Sequence, residues 1–189
     1  MERKPTLAAN LEKTYSNSLL MNFAMIIAGS IVIVLTAQVI IPFWPVPMTG
    51  QTFGVLLVAA LLGRKRGTAA VLAYLAEGAM GLPVFAGGSA GFMKFAGPTG
   101  GYLIGFIAAA YVTGLLVERI RKGDFVASAI AMTAGTVVIF LFGLAQLSIF
   151  TGFGDLLAIG FIPFVPGAVI KIIAAALVFA GGMKLIEKK

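Results

Sequence analysis

Long apolar stretches, separated by short polar or glycine-rich segments, run along this chain from about residue 19 to residue 183. Six of them read as helices that cross a bilayer: residues 19–41, 49–62, 68–81, 101–117, 125–147 and 163–183. A hydrocarbon core of about 30 Å takes about 20 helical residues, so the second and third stretches are short. Joining those two into one helix would hold Arg64, Lys65 and Arg66 near mid-membrane, at roughly 2.5 to 3.5 kcal/mol for each charge. The pattern therefore predicts a helical hairpin with a tight cytoplasmic turn at residues 63–67. The first stretch is longer than the core of a signal peptide and reads as a retained span. The fold expected is an all-α integral membrane protein of six transmembrane helices, one membrane domain over residues 1–189. Within it, residues 1–18 form an amino-terminal segment, 19–183 the six-helix bundle and 184–189 a basic tail.

The three outer connections differ in kind from the inner ones. Pro42, Pro45 and Pro47 around Trp44 make an extended segment that cannot be helix interior. Residues 82–100 hold Gly87, Gly88, Gly91, Gly97 and Gly100, and residues 148–162 hold Gly152, Gly154 and Asp155. Backbones of this composition fold closely over a small molecule or simply turn between helices.

Charge sets the orientation. Twelve of the fourteen Lys and Arg lie in residues 3–13, 64–66, 119–122 and 184–189, and loops retained in the cytoplasm collect such residues. Both termini are thus expected inside. At 60 % hydrophobic and 11 % charged, with a mean hydropathy of +1.04, the chain is too apolar for a soluble domain. Its net charge of +7 is split among loops without aromatic interleaving, which excludes nucleic acid as a partner and leaves membrane lipid. The absence of Cys and His removes disulfides, thiol nucleophiles, His-containing metal sites and the commonest general base. Neither a Walker pattern nor GxGxxG occurs, so no nucleotide cofactor is expected, and no metal or catalytic site.

Four charges break the pattern: Glu77, Lys94, Asp155 and Lys171. Helix rise places Glu77 about 6 Å and Lys171 about 12 Å below the outer ends of their spans. Lys94 and Asp155 fall in outer connections, and Gln38, Gln51 and Gln146 near outer helix ends. An ionisable residue within a span is costly unless it is paired or faces a cavity. These residues are therefore candidates for a binding site, with a structural Glu77–Lys171 ion pair as the alternative. Tyr74 and Glu77 are three apart and share a helix face. With Trp44, Phe85, Phe92 and Phe95 available as walls, such a site suits a small molecule with an apolar body, hydrogen-bonding edges and one carboxylate. On the inner side, Ala24 and Ala28, like Gly101 and Gly105, form small-xxx-small pairs that let another helix approach closely.

The blocks PMTGQTFG at 47–54, GAMGLPVFAGG at 78–88 and GPTGGYLIGF at 97–106 resemble the BioY family, the biotin-binding S components of energy-coupling factor (ECF) transporters. The resemblance runs from about residue 42 to residue 171. It implies a multi-pass protein of a prokaryotic plasma (inner) membrane that captures biotin from outside and is not an enzyme. It also implies docking onto an EcfT-type transmembrane subunit driven by two ATPase subunits, so that ATP is used only by partners. Residues 47–51 would cover the site and residues 81–101 form its side, with Ala24 and Ala28 matching the family's docking element. The substrate-binding residues expected are Gln51, Tyr74, Glu77, Phe92, Lys94, Asp155 and Lys171. Asp155, Gln51 or Glu77 would meet the urea edge, and Lys94 or Lys171 the carboxylate. The family commonly has an acid three residues before the lysine of its last helix, where this chain has Ala168. Lys171 would then face Glu77, Asp155 or the ligand. A stand-alone secondary transporter or channel is the alternative, and it would show ionisable groups at mid-membrane and internal duplication.

Overall fold

A computed structural model describes residues 19–120 and 123–187. The expectations for residues 1–18, for the basic pair 121–122 and for the last two lysines lie outside the described residues. Helix α1 is Leu19–Ala37. Two short strands follow, β1 (Ile40–Ile41) and β2 (Met48–Thr49), paired antiparallel with Ile40 opposite Thr49. Helix α2 is Gln51–Ala79, α3 is Gly100–Val117, α4 is Phe125–Thr151, α5 is the short Leu156–Gly160, and α6 is Val165–Glu187. Three single-turn 3₁₀ segments, Ala86–Gly88, Phe92–Phe95 and Ile162–Phe164, shape the connections.

Within α2 the chain reverses at Gly63, whose φ of 77° and ψ of 176° are outside the helical region and open to glycine because it lacks a Cβ. Gln51 and Tyr74 would lie about 35 Å apart on a straight helix, yet the Gln51 Nε2 donates to the Tyr74 hydroxyl at 2.5 Å. Residues 51–62 and 64–79 are therefore the arms of a hairpin. The arms meet at Gly67, where a Cβ would stand 2.7 Å from the Ala59 Cα. The turn is fastened from two sides. Glu118, just past α3, accepts the backbone N–H of Arg64 at 2.9 Å and pairs with its guanidinium at 3.4 Å, which satisfies one of the open donors at a helix start. Arg66 donates to the Asn22 side chain on α1 at 2.8 Å. The basic triplet thus sits at a helix end, as its desolvation cost requires.

Small residues set the helix spacing. Ala59, Ala70, Ala109 and Ala110 are fully buried, and a Cβ on Gly29 of α1 would come within 2.8 Å of the Ala70 Cβ. Gly101 and Gly105 face α4 at Phe142 and Ile139, so that glycine pair serves packing within the chain. One apolar cluster joins α1, α2, α3 and α4, and a second joins α2, α4 and α6. The outer faces remain apolar, with Leu20, Phe23, Leu35, Ile130, Leu141 and Ile170 exposed. That is the surface a lipid environment calls for. Among the described residues, four segments are long and apolar enough to cross a membrane: Leu19–Ala37, Gly100–Val117, Phe125–Thr151 and Leu156–Leu185.

The connections at the end of the bundle opposite Gly63 are tied down by amides. The Gln38 side chain accepts the Gly88 backbone N–H at 3.1 Å and donates to the Phe85 carbonyl at 3.4 Å. From α4, the Gln146 amide donates to the carbonyls of Phe95 and Gly97 at 2.7 and 2.9 Å. Glycine is required here for close approach: a Cβ on Gly100 would meet the same Gln146 amide at 2.6 Å.

Candidate functional site

These fastened connections enclose a cavity of about 520 Å³ between α2, α3, α4 and α6, within the range of pockets for small ligands. Its walls are mostly apolar. Phe85, Leu103, Phe106, Ile139, Phe140 and Phe164 line it. The Phe85 ring is held edge-on by Tyr74 at 5.5 Å and by Phe95 at 5.9 Å between centroids. The segment carrying Pro45, Val46, Pro47 and Thr49 forms another side, and the 3₁₀ turns bring Ala86, Ser89, Met93 and Lys94.

The polar groups are few. Gln51 lines the cavity from the first turn of α2 and lies in a chain of hydrogen bonds. Its Oε1 accepts from the Thr49 hydroxyl at 2.9 Å, while its Nε2 donates to Tyr74. The Lys171 ammonium on α6 donates to the Thr49 carbonyl at 2.9 Å, and so ties the last helix to strand β2. Lys94 is largely exposed and reaches the cavity from the Phe92–Phe95 turn. Among the described residues with a buried side-chain polar atom lacking a partner, only Thr52 lines the cavity.

Of the seven binding residues expected from sequence, Gln51, Lys94 and Lys171 line this cavity. Tyr74 is fully buried behind Gln51 and Phe85, where it supports both. Glu77 turns towards α1, its carboxylate accepting from the buried Ser30 hydroxyl at 2.7 Å. It shares no bond with Lys171. Phe92 is 72 % exposed and packs on Phe95 outside the lining residues, and Asp155 is exposed in the α4–α5 connection, also outside them. Trp44 is exposed as well. Residues that sequence reasoning did not single out include Thr52, Thr99, Tyr102 and Thr136. The Tyr102 hydroxyl donates to the Gly160 carbonyl at 2.9 Å, holding α5 beside the cavity. The GPTGGYLIGF block was the signal for Thr99 and Tyr102 and the PMTGQTFG block for Thr52, while a single threonine in an apolar helix, such as Thr136, carries none.

The BioY family model matches residues 7–188. The chain belongs to the BioY family. Among its relatives, the biotin transporter BioY of Thermotoga maritima is 44 % identical over 147 residues, 77 % of this chain and 86 % of that one. The biotin transporter BioY of Rhizobium etli is 40 % identical over 146 residues, 71 % of this chain and 76 % of that one. The fold is similar to the crystal structure of the S component for biotin from an ECF-type ABC transporter. The TM-score is 0.80 at 26 % identity, covering 90 % of this chain and 94 % of that one. In this BioY-family chain the PMTGQTFG block becomes β2 and the start of α2, GPTGGYLIGF the start of α3, and both supply cavity walls.

Proposed function

We propose that this chain is the biotin-capturing S component of an ECF-type uptake system, a transport subunit and not an enzyme. The observation that carries the reading is the cavity itself: apolar aromatic walls, a few amide and hydroxyl groups, and two lysines with no carboxylate among the lining residues. Biotin has matching parts, namely a bicyclic ring with a thioether, a urea edge, and an aliphatic tail that ends in a carboxylate. The ring rests against Phe85, Phe106 and Phe164, and the urea bonds to Gln51. The tail carboxylate meets Lys171 or Lys94, where a charge-assisted bond offsets its desolvation.

In the same reading both arms of the α2 hairpin cross the bilayer, which brings the spans to six with both termini cytoplasmic. The Gly63 turn then faces inward, where Arg64, Lys65 and Arg66 belong, and the cavity lies near the outer surface of a prokaryotic plasma membrane. Ala24 and Ala28 are exposed on α1 while Met25 and Gly29 are buried. This leaves the alanine pair free to receive a helix of an EcfT-type subunit. Energy comes from the ATPase subunits joined to that partner.

Uptake of labelled biotin by cells without a biotin transporter of their own tests this directly. Co-expression with an energising module should give uptake that depends on ATP and is blocked by excess unlabelled biotin. Absence of biotin uptake in the presence of an assembled module would overturn the reading, and full concentrative uptake without any module would favour a stand-alone transporter.

A further inference from the structure

The cavity holds two ammonium groups and, among its lining residues, no acid. A lysine ammonium has three donors. Lys171 commits one to the Thr49 carbonyl, which leaves two for the cavity. Among the described residues no acidic group is paired with it: Glu77 is engaged with Ser30, and Asp155 is exposed in a connection outside the cavity. A cation away from water is costly without an anion close by. Ala168 also lines the cavity, three residues before Lys171 on α6, the spacing at which a carboxylate side chain reaches an ammonium.

We infer that the site takes its missing negative charge from the ligand, and that Ala168, by contributing none, determines its selectivity for a free carboxylate over neutral derivatives. The inference rests on the biotin-capture reading and adds to it a specificity-determining residue. An acid at position 168 would pair with Lys171 internally and compete with the ligand for that cation. An alanine leaves the ammonium open, so that a ligand without a negative charge strands it.

The test compares biotin with biotinamide, which keeps the ring and tail but is neutral. Both are titrated by calorimetry into the purified full-length chain in lipid nanodiscs. The unmodified chain should prefer biotin by on the order of ten- to hundredfold, as a bond to a charged group implies. Ala168→Asp should bring the preference close to one, mainly by weakening biotin, whereas Ala168→Asn, with the same shape and no charge, should retain it. Lys171→Gln keeps a donor for the Thr49 carbonyl and should also erase the preference, which provides a second route if the aspartate variant does not purify. Equal affinity of the unmodified chain for both ligands would overturn the inference and leave biotin capture standing. So would equal effects of the Asp and Asn variants, or a preference that survives loss of the lysine. Binding of neither ligand would overturn the capture reading as well.

Discussion

The hydrogen bond between Gln51 and Tyr74 joins the two arms of the α2 hairpin directly behind the cavity, and removing one side of it should be costly. Tyr74→Phe keeps the ring against Phe85 but deletes the acceptor of the Gln51 Nε2, which is buried. A buried donor left without a partner costs about 1–3 kcal/mol. For a chain of this size about 2 kcal/mol corresponds to a fall in melting temperature of roughly 4–8 °C. The effect should extend to the ligand, because the Gln51 amide is then held only through its Oε1 by Thr49. A loss of about 1 kcal/mol there is about a fivefold weaker biotin affinity. Replacing both partners, in Gln51→Leu with Tyr74→Phe, removes the stranded donor. The double variant should be more stable than the sum of the single changes, by about 1 kcal/mol or more, while binding biotin no better than Gln51→Leu alone. Thermal melts without ligand and calorimetric titrations with biotin, on the same purified preparations, measure both quantities. Strict additivity of the melting shifts, or a Tyr74→Phe variant unchanged in both assays, would refute the reasoning.

Lys171→Ala should weaken biotin binding by on the order of 2 kcal/mol, about thirtyfold in Kd by calorimetry, and an unchanged affinity would remove Lys171 from the site. Ala24→Trp or Ala28→Trp should bind biotin normally and fail to support uptake with the energising module, since bulk on an exposed helix face blocks close approach; lost binding would point instead to a role inside the chain. Ser30→Ala strands the Glu77 carboxylate and should lower stability by roughly 1–3 kcal/mol with biotin affinity nearly unchanged, read from melts and titrations, and a large affinity loss would return Glu77 to the binding site.

The order of the helices and the α2 hairpin were legible from sequence, and direction around each helix was not. The reversal at Gly63 followed from the cost of three adjacent charges, a local quantity that needs no knowledge of neighbours. Glu77 shows where that reasoning stops. The three-residue spacing put it on one face with Tyr74, but the Ser30 hydroxyl on α1 drew its carboxylate to a different seam from the one Tyr74 faces. That choice depends on a contact 47 residues away in the chain. The segment from Pro42 to Pro47 is non-helical, as its prolines require, but it bends at residues 44–46 and reverses the chain where an extended run was expected, because β1 and β2 pair antiparallel around it, which is long-range information. Gln38 and Gln146, marked by their outer position, hold backbone carbonyls of the glycine-rich connection and do not line the cavity. Thr136 carries no signal in the sequence because a hydroxyl on an apolar helix more often bonds its own backbone, as it does with the Met132 carbonyl.

A high-resolution experimental structure of the chain with biotin bound tests the central claim most directly. The expected result is one molecule in the cavity, its ring among Phe85, Phe106 and Phe164, its urea at Gln51, and its carboxylate within hydrogen-bonding distance of Lys171 or Lys94. Biotin found outside this cavity, or a carboxylate turned away from both lysines, would contradict it.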